Sequence, residues 1–298
     1  MASILKFFYL ASLFVGLSSH AVTVGSISSA MAGTGRSSVD IGESYLLNPA
    51  TVAHLQGAAM AFGSSYLEWT NPLDNSLSSY DGWRLSLNEN SPDSMWSSSI
   101  YMSQSQSRQS RRSFNAPTQF NDAWFTLGNF VMPQLSAGLS YHFHETITAL
   151  NSYQEHNFGL GLLWTPLDNL GVGFSLQNFR APPKEVPTEL GLGSNGGVGV
   201  MYLHQDYLRL RLDYSRKAHK LSLLSSHEWA FGLENAMTPW TLIRIGAAQE
   251  INDEQKTTQK LTCGIGFAGP RFGVHYGFQQ LRVAKVGTEH SVDLMIPF

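Results

Sequence analysis

The chain holds a single cysteine, Cys263. It can therefore close no intrachain disulfide and build no CxxC zinc or redox site. Charge is scarce: Asp, Glu, Lys and Arg make up 14% of 298 residues, where ordinary soluble domains carry roughly 25%. The small imbalance is acidic, 19 Lys and Arg against 22 Asp and Glu, which argues against the basic surface that nucleic-acid binding needs. Long hydrophobic runs are missing beyond the N-terminus, and the mean hydropathy is −0.12. A bundle of transmembrane helices, each about 20 apolar residues long, is excluded.

The one apolar run that exists lies at the start. Lys6 gives a positive entry, Phe7 to Leu17 is apolar, and Ser19, His20 and Ala21 place small residues at the −3 and −1 positions of a cleavage site. These are the three parts of a secretory signal peptide, expected over residues 1–21. The run is short for an uncleaved anchor helix. The mature chain is thus expected from about Val22, in an oxidising compartment where one cysteine has nothing to pair with.

From there the sequence alternates with period two, which puts successive side chains on opposite faces of a strand. Leu135, Ala137, Leu139, Tyr141 and Phe143 alternate with Ser136, Gly138, Ser140, His142 and His144. Leu208, Leu210, Leu212 and Tyr214 alternate with Arg209, Arg211 and Asp213, and Phe272, Val274, Tyr276 and Phe278 alternate with Gly273, His275 and Gly277. Similar runs give about fourteen strands between residues 58 and 298. Alternation alone also suits a soluble sandwich. The minor face is Gly, Ser, Gln, His, Arg and Asp, which suits a wet lumen. The apolar face ends in Tyr141, Phe143, Trp164, Tyr214, Trp229 and Trp240, as aromatic girdles at membrane interfaces do.

Connections between the expected strands run alternately long (near 69–81, 105–117, 145–153, 179–189, 216–226, 251–258 and 282–288) and short. The short ones carry turn residues such as Pro166, Asp168 and Asn169, or Gly269 and Pro270. Up-and-down membrane barrels combine short periplasmic turns with longer outer loops. The C-terminus agrees: Val292, Leu294, Ile296 and the terminal Phe298 are apolar at every second position, which resembles the signal read by the barrel-assembly machinery. Pro297 departs from that pattern, but an edge strand tolerates a missing N–H. Lipid offers no hydrogen bonds to a backbone, so a sheet that crosses it must close.

Residues 22–57 precede the first strand and contain Ala30-Met31-Ala32-Gly33-Thr34-Gly35 and, after a spacer, Asn48-Pro49-Ala50-Thr51-Val52-Ala53. Pro49 fixes its own backbone and pushes Asn48 towards an extended conformation, leaving the Asn48 amide free to hold neighbouring backbone groups. Such a segment suits either a compact fold inside a lumen or a periplasmic lead-in with an ordinary Asn-Pro turn. The pair of motifs resembles the AMGGTG…NPAGLA signature of the outer-membrane long-chain fatty-acid transporter superfamily, which includes TodX-like channels and PorV-type secretion barrels. The resemblance implies a fourteen-stranded barrel with an N-terminal hatch, and makes Asn48, Pro49 and Ala50 the hatch motif. Ala32 stands where the signature has Gly, and Thr51-Val52 replaces Gly-Leu.

The expected architecture is therefore all-β: a transmembrane antiparallel barrel over 58–298 with a lumenal hatch over 22–57, in the bacterial outer membrane. Arg209, Arg211, Asp213, His142 and His144 are the candidates to line the lumen, the arginines within reach of Asp40 and Glu43. Leu294, Ile296 and Phe298 form the candidate assembly signal. His142 and His144 share a face and so have metal-ligand spacing, but the sequence identifies no third ligand, and no metal or cofactor is expected. No nucleophile motif stands out, so no catalytic residue is assigned and an enzyme is not expected. Gly191 to Gly197 reads as part of a strand. Arg108, Arg111 and Arg112 suit either a solvated loop or contact with anionic lipopolysaccharide. Expected partners are outer-membrane lipid and lipopolysaccharide, the assembly machinery and a hydrophobic small molecule. The resemblance implies passive passage of small hydrophobic or amphipathic molecules. A PorV-like secretion or assembly partner and a general diffusion porin are the alternatives.

Overall fold

In the computed structural model the described residues are 25–70, 77–90, 95–109, 118–187, 190–218, 225–252, 257–282 and 286–298. The expected signal peptide, Arg111 and Arg112 lie outside them. Three short helical pieces come first: α1 (Ser26–Ala30), α2 (Ser44–Leu47) and a 3-10 helix (Pro49–His54). The strands follow as β1 (Gly57–Thr70), β2 (Leu77–Asn90), β3 (Ser97–Gln109), β4 (Thr118–Met132), β5 (Leu135–Ile147), β6 (Ser152–Leu167) and β7 (Leu170–Gln177). The second half contains β8 (Ser194–His204), β9 (Leu208–Ala218), β10 (Ser225–Ala236), β11 (Thr241–Asn252), β12 (Thr257–Ala268), β13 (Gly273–Arg282) and β14 (Val286–Pro297).

Each strand pairs antiparallel with its sequence neighbours, and β14 returns to β1, so the sheet is a closed fourteen-stranded barrel. The closing ladder is continuous from Ala59 opposite Pro297 to Thr70 opposite Val286, and Phe298 N donates to Ala58 O at 2.9 Å. Closure leaves no strand edge unpaired, the condition for a sheet in lipid. Register shifts between Phe130 and Met132 and between Trp164 and Leu167 fall at the end of the barrel that carries Gly57 and Pro297, here called the near end.

The burial pattern is that of a soluble protein turned inside out. Phe62, Phe125, Leu160, Phe174, Leu212, Phe231, Ile245 and Ile265 are exposed on the outer wall, with Trp164, Trp229 and Trp240 among the exposed aromatics. The buried set is dominated by Ser, Thr, Asn, Asp, Glu, Arg and His on the inner wall. An apolar exterior of this extent has no place in water. Cys263 is a free, outward-facing thiol on β12.

Two expectations need correction. The alternation of long and short connections is weaker than the sequence suggests, because several strands continue past their apolar stretch. Described strands reach into the expected loops 145–153, 251–258 and 282–288: β5 runs to Ile147 and β6 begins at Ser152, β11 runs to Asn252 and β12 begins at Thr257, β13 runs to Arg282 and β14 begins at Val286. Backbone pairing does not need apolar side chains, so a ladder can rise past the apolar band into a polar rim. Second, Gly191 to Gly193 lie outside any strand, in the connection before β8. There the N–H of Leu192 donates to Glu155 Oε1 at 2.9 Å.

Candidate functional site in the filled lumen

Residues 25–55 run inside the barrel, and nearly every one is buried. The chain turns tightly through Ala32 (φ 58°) and Gly33 (φ 86°). Ala32, at the position where the family signature has Gly, thus adopts the left-handed region that costs a residue with a Cβ energy. Its side chain packs with Ala230 and Ala248 of the wall.

Asn48 occupies the centre of this segment. Its backbone is extended (φ −149°, ψ 109°), and its Oδ1 accepts from Ala50 N at 3.1 Å, capping the 3-10 helix that Pro49 begins. The Asn48 Nδ2 donates to Arg36 O at 2.7 Å and to Leu162 O of β6 at 3.0 Å. One buried amide therefore joins two parts of the segment to the wall. The wall makes room with glycine: a Cβ on Gly161 would collide with Asn48 Oδ1, and one on Gly138 would collide with the Pro49 carbonyl. Ser136 Oγ donates to Ala50 O at 3.1 Å. Asn48, Pro49 and Ala50 are thus seated on β5 and β6.

Ion pairs fix the rest. Arg211 holds Asp40 through two contacts, Nη1 to Oδ2 at 2.8 Å and Nη2 to Oδ1 at 2.9 Å, with Arg209 Nη1 at 3.3 Å from Oδ1. Arg209 also reaches Glu234 at 3.1 Å, which in turn takes Arg244 Nε at 2.6 Å. Asp213 accepts from the N–H of Gly35 and of Arg36, both at 3.1 Å, and pairs with Arg36 Nη1 at 3.2 Å. Asp293 of β14 accepts from Ser26 N at 2.5 Å and pairs with Arg84 Nη2 at 2.7 Å. Asp40 is pulled both ways: burial would raise its pKa, but the Arg211 and Arg209 guanidiniums outweigh that and hold it below the usual carboxylate range.

Glu43 does not pair with the arginines of β9. Its Oε1 accepts from Ser28 N at 2.6 Å and Ser28 Oγ at 2.8 Å. Burial, followed by the negative charges of Asp40 and Asp293, pushes Glu43 up to about 8. The small cavity beside Glu43, between Arg84 and Tyr101, measures about 10 Å³, the volume of roughly one water.

An apolar seam lies between the segment and the wall. Tyr45, Leu46, Val52 and Leu55 of the segment pack with Tyr101 of β3 and Trp124 of β4, and Val39 and Ile41 border them. Farther from the near end, His142 and His144 of β5 both face inward and are buried, as their spacing predicts. They meet Asp122 of β4.

Of the sequence candidates, Arg209, Arg211, Asp213, Asn48, Pro49 and Ala50 come together around the segment. His142 and His144 form a separate cluster, and Leu294, Ile296 and Phe298 lie on β14 and its end. Sequence reasoning missed Arg36, Arg84, Asp122, Glu234 and Asp293. Strand parity was the available signal, since each of the four strand residues sits on the inward face. Their partners are distant in sequence, so parity did not name them.

The sequence matches no protein-family model and no curated relative. Solved structures give clear matches. The chain is similar to the CymD monoaromatic hydrocarbon channel, with TM-score 0.73 and 14% identity over 94% of this chain and 98% of that one. It is similar to the toluene transporter TbuX of Ralstonia pickettii, with TM-score 0.70 and 14% identity over 95% and 100% of the two chains. A FadL homologue of Pseudomonas aeruginosa gives TM-score 0.69 and 12% identity over 93% and 99%. The fold is therefore that of the FadL-like hydrocarbon-transporter barrels, as the motif resemblance implied.

Proposed function

We propose that the chain is an outer-membrane barrel that passes small hydrophobic or amphipathic molecules downhill, with residues 25–56 as a movable hatch. The observation that carries this reading is the apolar seam of Tyr45, Leu46, Val52 and Leu55 against Tyr101 and Trp124. Displacing the segment exposes an aromatic-lined path beside it. The barrel fold shared with hydrocarbon channels supports this reading as an analogy. No energy source is needed for downhill passage.

A second reading, a scaffold that binds a protein partner, draws support from the density of tethers. Asp40, Asp213 and Asp293 each hold the segment or its immediate contacts by buried ion pairs. A diffusion porin has less support, because Arg211 and Asp213 are engaged with the segment rather than lining open water.

Planar-bilayer conductance of the mature barrel and of a chain lacking residues 22–57 tests the hatch. A silent intact barrel and a conducting deletion are expected; large steady steps from the intact protein would overturn the hatch reading. Entry of toluene-class molecules through a lipopolysaccharide-bearing outer membrane then separates transporter from scaffold. Expression of the intact barrel should raise that entry, and unchanged entry selects the scaffold.

A further inference from the structure

Three ligating side chains share the inner wall of β4 and β5, apart from the tethers of the hatch. Asp122 and His144 stand directly opposite each other in the ladder, and His142 is diagonal to Asp122, opposite Trp124. Directly opposed side chains start about 5 Å apart at Cβ, so their tips converge. Asp122 Oδ1 lies 2.8 Å from His142 Nε2 and 2.7 Å from His144 Nδ1. The ligating atoms of all three residues fall within 4.8 Å of one another. We propose that Asp122, His142 and His144 bind one divalent transition-metal ion, zinc foremost.

The outer partners of the two rings match that role. A ligating imidazole presents one nitrogen lone pair to the ion and donates its other N–H to an oxygen. His142 Nδ1 faces Asn178 Oδ1 at 3.0 Å, and His144 Nε2 faces Thr146 Oγ1 at 3.0 Å. These oxygen partners leave His142 Nε2 and His144 Nδ1 as the ring nitrogens turned towards Asp122. The ring orientations are also fixed. Trp124 stacks on His142 at 3.8 Å between centroids, and Phe120 stacks on His144 at 6.0 Å. Preorganised ligands of this kind are what a metal site requires.

Donor chemistry selects the ion. Two imidazoles and one carboxylate suit zinc, copper or nickel, whereas calcium and magnesium favour an all-oxygen set. Three protein ligands leave a fourth position for water or an incoming group. Glu155 of β6 is opposite His144 in the next ladder, is buried, and its Oε2 has no hydrogen-bond partner among the described residues. It supplies a further negative charge beside a dication. This site is independent of the transport reading and would bridge β4 to β5 whether or not the hatch moves.

Calorimetric titration of the untagged, chelator-treated barrel with zinc tests it. One saturable site per chain is expected, unaffected by a large excess of calcium. Asp122→Asn and His144→Ala should each weaken zinc at least tenfold while keeping the strand signal in circular dichroism. X-ray absorption of the zinc-loaded wild type, which needs no variant, should show two imidazole ligands in the first shell. Absence of saturable zinc binding, a first shell without imidazole, or unchanged affinity in both folded variants would overturn the site.

Discussion

Asn48 ties the lumenal segment to itself and to the wall. Its amide makes three hydrogen bonds in a fully buried setting. Each buried polar group left without a partner costs about 1–3 kcal/mol. Asn48→Ala is therefore expected to raise the open population of the segment by about 5- to 150-fold. Amide hydrogen exchange over residues 25–56 would show faster exchange there with the barrel strands still protected. Gly138→Val should act more strongly, because the added side chain occupies the space of the Pro49 carbonyl. It should turn a silent barrel into a conducting one, and continued silence would count against the seating described here.

Glu43 gives the segment a defined response to pH. Its carboxyl sits at about 8 when buried, against 4.5 when exposed. The docked form thus binds the proton more tightly than the displaced form. By linkage, docking is strongest below about 4.5, weakens as the pH rises towards 8, and levels off above that. Opening frequency in bilayers should rise between these limits, and Glu43→Gln, neutral at every pH, should flatten the profile. A wild-type barrel that opens less often at higher pH would refute the assignment. The importance of Asn48 was legible in the Asn-Pro pair, whose extended backbone and free amide follow from local sterics. The proton affinity of Glu43 was not, because it arises first from burial inside the wall, then from Asp40 and from Asp293, which is distant in sequence.

At the scale of the strand, alternation decided nearly everything. On β11 Ile243 and Ile245 face out while Arg244 faces in to Glu234. A one-residue slip would exchange the two faces and place Arg244 on the apolar exterior. An Arg at the middle of a lipid-facing strand costs about 2–4 kcal/mol, so Ile245→Arg should lower unfolding stability in bilayers by that amount. The same change should have little effect if the outer wall faced water. Strand ends were less legible than strand cores. Polar residues such as Thr146 and Glu289 continue their ladders, because backbone pairing persists after the hydrophobic pattern has stopped.

At the scale of the whole molecule, the apolar exterior and the polar interior predict where reagents can reach. Cys263, near the middle of β12, faces outward. In a bilayer it should resist a charged maleimide yet react with a lipid-soluble one, and both should label it after denaturation. Rapid labelling by the charged reagent in bilayers would contradict a membrane-embedded outer wall.

What the sequence determined by itself follows from local and periodic physics. Period-two patterning sets the strands and their inner and outer faces. The strand count with an apolar outer face requires closure, since an open edge in lipid leaves backbone groups unpaired. Tertiary structure decided what the period cannot encode. Asp213 reaches Arg36, Arg211 reaches Asp40, and Asp293 reaches Ser26 only because the barrel closes around residues 25–55. Asp122 joins His142 and His144 for a related reason: strand parity put each of them inside, but the register of β4 on β5 brought them to one point. Partners separated by tens to hundreds of residues are matched by register and closure, and no local pattern in the chain records that match.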